Sequence, residues 1–172
     1  MWKKPVFIII LLYFFALLQN SFLIYFNIFG IVPNFIFILF FLLVFFSNQG
    51  RSASVWEIFM YAVAAGFFLD IYLYKYIGQS IIALIIIGWL IKKIKSSLKS
   101  GNDSYPFSHF LPIFLVCFFL YSALMMVCLH FLDPAQSLIV FDLKLIVEAF
   151  YNLFFAVIGF VWLRQISRSE GF

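Results

Sequence analysis

Four polar residues near the C-terminus interrupt an apolar stretch at spacings that bring them together on a helix. Lys144, Glu148, Tyr151 and Asn152 follow the pattern i, i+4, i+7, i+8, which places them on one helical face. Charged side chains in such a helix usually have a partner or a role. The pattern is typical of a Lys144–Glu148 pair with hydrogen bonds to neighbouring helices, and the alternative is a ligand pocket or a surface for a partner protein.

A second carboxylate, Asp70, is predicted in the last turn of a helix, where it opposes the helix dipole. Two kinds of group are within reach to compensate it: Lys75, and the first backbone amides of the next helix, near Gly78 and Ser80. We expect a clamp across this turn. We also expect Asp70 and Lys75 to be structurally coupled.

Support for catalysis is weak. His109 and His130 lie at opposite ends of one predicted helix and cannot share a metal ion, and no HExxH, GxSxG or P-loop motif is present. An acid pair would have to be Asp70 with Glu148, and spacing does not decide whether they meet. We therefore predict no catalytic residue, no metal site and no cofactor, and a protein that is not an enzyme.

The composition indicates which solvent surrounds these residues. Of the 172 residues, 66% are apolar, 27 are Phe and 10% are charged, whereas globular domains carry about 25% charged residues. The chain has too few polar side chains to cover a soluble surface and is too hydrophobic for disorder. Its apolar runs are unbroken rather than alternating, so we predict an all-α, polytopic membrane helical bundle and not a β-barrel.

We predict one integral membrane domain, residues 1–172, with six transmembrane helices. Pro33 and Asn34 open the second span, because Pro is tolerated in the first turn of a helix. That span is short, and membrane thinning can absorb the mismatch. The predicted spans are about 5–25, 32–46, 55–74, 79–94, 110–132 and 143–163.

The basic residues predict the orientation of these spans. Six crossings put nine Lys and Arg on one side and only Lys75 and Lys144 on the other. The positive-inside rule then places both termini in the cytoplasm. The net charge of +4 arises beside apolar runs, so it indicates membrane lipids rather than nucleic acid as the partner. The nine are Lys3, Lys4, Arg51, Lys92, Lys93, Lys95, Lys99, Arg164 and Arg168.

Small residues offer one possible contact surface. Ala62 and Gly66 are four apart on the predicted third helix, a spacing that permits close approach of another helix. This surface and the Glu148/Tyr151/Asn152 stripe are the two candidate docking sites for another membrane protein, and the stripe is also a candidate for holding the bundle together.

The order of these features resembles the MreD family, the small integral membrane subunit of the bacterial rod-shape, or elongation, machinery. The chain departs from the family pattern in being unusually rich in Phe. The residues that carry the resemblance are Leu17 to Ser21, Gly30 to Asn34, Gly66 to Asp70, Gly78, Lys92-Lys93 and Tyr151-Asn152.

The resemblance implies a non-enzymatic scaffold in the bacterial cytoplasmic membrane. Family members work with MreC, and through it with the RodA glycosyltransferase, a class B penicillin-binding transpeptidase and MreB filaments, to localise and regulate peptidoglycan synthesis. The family is similar in fold to the S components of ECF-type transporters. A substrate-binding S component of a vitamin transporter is therefore the alternative function.

Overall fold

The computed structural model describes residues 5–27, 30–47, 54–73, 76–98, 107–132 and 143–169. In these ranges the chain forms six α-helices, and the first continues through a π-helical turn, Leu18–Phe22, and a 3-10 turn, Leu23–Phe26. Residues 133–142, which connect the fifth and sixth predicted spans, lie outside the described residues. The helices are α1 (Pro5–Leu17), α2 (Phe35–Phe46), α3 (Val55–Leu73), α4 (Gln79–Ser97), α5 (Phe107–Leu132) and α6 (Leu143–Ser169).

The predicted class, a helical membrane bundle, is confirmed. Within the described residues, four helical stretches are long and apolar enough to cross a membrane. The 12-residue α2 is shorter than the roughly 20 residues that a span needs, and α4 carries three lysines in its last turns. The four stretches are Val6–Phe26, Val55–Tyr72, Phe107–Leu132 and Leu143–Ile166.

The short helix α2 forms the centre of the bundle. It packs against α1, α3, α4 and α6, and its side chains are buried around most of its circumference. A helix that is apolar all round is typical of such a core position. Around α2, the helices α1, α3, α4, α5 and α6 follow one another as neighbours. A cleft lined by residues of both α1 and α6 separates the two ends of this series.

Phenylalanine rings fill the space between α2 and α5. Phe41 lies edge-to-face on Phe114, with ring centroids 5.0 Å apart, and Phe45 lies edge-to-face on Phe110 at 5.4 Å. Phe160 of α6 joins them, 4.4 Å from Phe110. These offset and edge-to-face arrangements are the favourable ones for aromatic rings. Part of the unusual Phe content is therefore core packing.

The helices α3 and α4 approach each other closely at Gly66. A Cβ atom added at Gly66 would lie 2.6 Å from the backbone Cα and N of Ile81. Ala62 on the same helix is fully buried. The small-residue surface is thus occupied by α4 of the same chain. This corrects the expectation that it is free to receive a partner.

Replacing Gly66 by Ala should destabilise the bundle, because the added methyl group meets backbone that cannot move without separating α3 from α4. Gly159→Ala is the matched control, since its Cβ would meet only the Leu42 side-chain Cδ1, at 2.6 Å, which can rotate away. We expect the thermal unfolding temperature in detergent to fall clearly for Gly66→Ala and less for Gly159→Ala. Equal losses would show that the α3–α4 contact is not the tighter constraint.

Candidate functional site

Three segments distant in sequence meet at the start of α2. The backbone N–H of Asn34 donates to the Asn152 Oδ1 atom of α6, at 2.6 Å, and the N–H of Phe35 donates to the Gln19 Oε1 atom, at 3.1 Å. Asn34 also caps its own helix, since its Oδ1 accepts from the N–H of Phe37 at 3.0 Å. The beginning of α2 is therefore capped by side chains from α2, α6 and the end of α1.

These caps are needed because the first amides of a helix have no partner within it. Inside a membrane no water replaces that partner, and each unsatisfied group costs several kcal/mol. Asn152 is fully buried, and its Nδ2 donates to the Glu148 carbonyl at 2.8 Å, which fixes the orientation of its amide. Gln19 lies in the π-helical turn, a local widening of the helix often found at functional sites.

Asp70 forms a second cap, across the turn between α3 and α4. Its carboxylate is buried and accepts from the N–H of Gly78 at 2.6 Å and from the N–H of Ser80 at 3.0 Å. Gly78 has a φ of 109°, in the left-handed region that favours glycine. Of the two predicted compensating groups, the structure shows the amides of the next helix. Lys75 lies outside the described residues, so its coupling to Asp70 stays a prediction.

Tyr121 of α5 lies between the two caps. Its side chain is buried, and its hydroxyl lies near Ser80 of the second cap and Asn34 of the first. Its ring packs on Phe37, with centroids 4.8 Å apart. We call Gln19, Asn34, Asp70, Ser80, Tyr121 and Asn152 the polar cluster.

The stripe on α6 separates into different roles. Asn152 belongs to the polar cluster, whereas the Tyr151 hydroxyl donates to the carbonyl of Phe26 at 3.1 Å. Glu148 is half-buried. Lys144 is exposed, and no ion pair joins these two described side chains, so the expected Lys144–Glu148 pair is not present. The stripe mainly joins α6 to the start of α2 and the end of the first span.

The remaining predicted residue at the start of α2, Pro33, is buried, and its carbonyl accepts from the N–H of Phe35 at 3.2 Å. It thus belongs to the same capped turn. Among the described residues, no three His, Cys, Asp or Glu side chains come together as a metal site requires. The carboxylate of Asp70 is already engaged by two amides. The absence of metal, cofactor and catalytic residues stays a prediction.

Sequence reasoning missed Lys95. Its side chain is buried, and its ammonium donates to the carbonyl of Phe45 at the end of α2 and lies 5.0 Å from the Phe45 ring centroid. A basic side chain at a helix C-terminus satisfies free carbonyls and suits the dipole. The signal was available in the spacing, because Leu84, Ile91 and Lys95 follow i, i+7, i+11 on the buried face of α4. Both ends of α2 are therefore capped by other helices.

The fold and the polar cluster define a class: a helical membrane protein whose buried polar groups are used to hold helix ends together. The chain belongs to the MreD family, since the model of the rod shape-determining protein MreD matches residues 2–168. Neither the curated proteins nor the solved structures contain a match to it. The alternative of a vitamin-transporter subunit receives no support from these comparisons. The family assignment supports a role in rod-shape determination.

Replacing Asp70 by Asn should destabilise the protein. The amide keeps one acceptor oxygen, but its NH₂ group then faces a backbone N–H, which leaves one buried donor unsatisfied at about 1–3 kcal/mol. Glu57→Gln on the same helix is the control, because Glu57 is exposed. We expect a lower thermal unfolding temperature in detergent for the first variant only. If Asp70→Asn unfolded at the wild-type temperature, the proposed role of Asp70 as a clamp would be contradicted.

Proposed function

We propose that this protein is a non-enzymatic integral membrane scaffold of the bacterial cell-elongation complex. In this role it helps to localise and regulate peptidoglycan synthesis through an MreC-like membrane protein. Its indirect partners are a RodA glycosyltransferase, a class B penicillin-binding transpeptidase and MreB filaments. The observation that carries the proposal is the match of nearly the whole chain to the MreD family.

The cleft between α1 and α6 supports a docking role. It has a volume of about 280 Å³, and α2 forms its floor with Leu39, Leu42 and Leu43. Its walls are apolar, and its polar groups lie at the end where α2 stops and α3 begins, at Ser47, Glu57 and Tyr61. In lipid no hydrophobic force drives helices together, so a partner helix is held by shape and by polar contacts. This cleft offers both.

We propose that the cleft receives a transmembrane helix of the MreC-like partner. Gly159 of α6 lies in its wall and packs against Leu42 of its floor. The exposed carboxylate of Glu57 is placed to attract a basic side chain at the cytoplasmic end of that helix, where basic residues are enriched. This assignment moves docking away from Ala62 and Gly66, which α4 covers.

Filling the cleft should weaken recovery of the partner. In Leu43→Trp the indole occupies space that the partner helix needs, whereas Ile82→Trp adds the same ring on the exposed face of α4. We expect the first variant to co-purify less MreC-like protein from native membranes, and rod-shaped cells that depend on it to round up. The second should behave as wild type.

Both variants should retain the wild-type thermal transition, which shows that the bundle is intact. Full partner recovery by a folded Leu43→Trp variant would refute the cleft as the docking site. If cells that lack this protein kept their normal width, the scaffold role itself would be refuted.

We further propose that the chain is one domain with six crossings in the cytoplasmic membrane and with both termini in the cytoplasm. The nine-to-two distribution of basic residues supports this topology. The two helices whose crossing is not evident from length and composition are α2, which is short, and α4, which carries lysines in its last turns. Side-chain caps from neighbouring helices allow a helix as short as α2 to remain in the bundle.

Cysteine labelling tests the crossing of α4. In a chain with Cys117 and Cys128 replaced by Ala, a cysteine is introduced at Ile77 or at Leu98, which are exposed at opposite ends of α4. A membrane-impermeant maleimide added to intact spheroplasts should label the cysteine at 77 but reach the cysteine at 98 only after lysis. Labelling of both in intact spheroplasts would exclude this topology.

A further inference from the structure

A second cavity lies between the start of α5 and the end of α6. Its volume is about 330 Å³, at the lower end of the range for small-molecule pockets. It shares no lining residue with the cleft, because it lies on a different face of α6. The described residues that line it are Phe107, Phe160, Val161, Arg164 and Gln165.

Arg164 gives this cavity its chemistry. Its guanidinium lies 6.0 Å from the Phe160 ring centroid, in a cation–π position. Phe160 is itself buried and packs on Phe110, so the platform beneath the guanidinium is fixed. A guanidinium presents five N–H donors in a planar fork, which matches the oxygens of a phosphate. Gln165 adds an amide beside it.

The charge of the cavity and its depth in the membrane indicate what it binds. The five lining residues described here include no carboxylate, so the positive charge of Arg164 is not balanced within the cavity. Arg164 lies in the last turns of the membrane-spanning stretch Leu143–Ile166, where lipid phosphates are expected. Phe107 and Val161 supply apolar walls for the part of a lipid next to its phosphate.

We propose that this cavity binds the phosphate group of an anionic membrane lipid, with Arg164 as its main donor and Gln165 as a second. The site is independent of the proposed scaffold role, because neither its residues nor its chemistry involve the cleft. It provides a fixed lipid contact at the end of the bundle where α5 begins and α6 ends. Basic pockets between transmembrane helices are a recognised form of lipid headgroup binding.

Thermal unfolding of the purified full chain in detergent tests the site. Phosphatidylglycerol should raise the unfolding temperature at lower concentration than phosphatidylcholine with the same acyl chains. Arg164→Gln should weaken the apparent affinity for phosphatidylglycerol about fivefold, the factor for about 1 kcal/mol per basic residue. Lys93→Gln is the control, because Lys93 also stacks on an aromatic ring, 5.1 Å from that of Trp89, but lies outside the cavity.

A second variant separates binding from folding. Val161→Trp fills the cavity from an exposed position without a change of charge, and it should weaken phosphatidylglycerol binding as Arg164→Gln does. Equal stabilisation by the two lipids, or wild-type affinity in both cavity variants, would overturn the proposal. Equal stabilisation by inorganic phosphate at the same concentration would assign the site to a free anion instead of a lipid.

Discussion

The capping of α2 is the constraint on which the rest of the structure depends. This helix is shorter than an ordinary membrane span and lies in the centre of the bundle, so its free N–H and carbonyl groups cannot rely on water. Asn152 and Gln19 satisfy its beginning, and Lys95 satisfies its end. Each of these side chains comes from a different part of the chain. Capping one helix therefore fixes the positions of three others.

The polar cluster extends the same principle to the α3–α4 turn. Asp70 ties two consecutive helices together through the amides of Gly78 and Ser80. Tyr121 of α5 lies near both this clamp and the cap at Asn34, and its ring packs on Phe37. Polar groups inside the bundle thus hold the ends of neighbouring helices together. The cleft and the Arg164 cavity, the two contact sites that we propose, lie outside the polar cluster.

The candidate site was partly predictable from single positions. Pro33, Asn34, Asp70 and Gly78 stand at helix ends in the sequence, and the structure places them in caps and turns. The roles of Ala62 and Gly66 were not predictable, because small-residue spacing permits close contact but does not specify which helix makes it. The residues of the polar stripe also differ in burial: Asn152 is buried and caps α2, whereas Lys144 is exposed and forms no ion pair with Glu148.

The sequence by itself determined that this is a helical membrane protein. Its composition and its unbroken apolar runs depend only on whether water or lipid surrounds the chain. It also carried enough pattern to indicate the MreD family, which the match over residues 2–168 shows. The tertiary structure alone decided that Asn34 meets Asn152, that Lys95 points inward and that the α1–α6 side stays open. The reason is that lipid is as apolar as the core. The hydropathy of a membrane helix therefore does not distinguish the face that packs from the face that meets lipid, and only the assembled bundle does so.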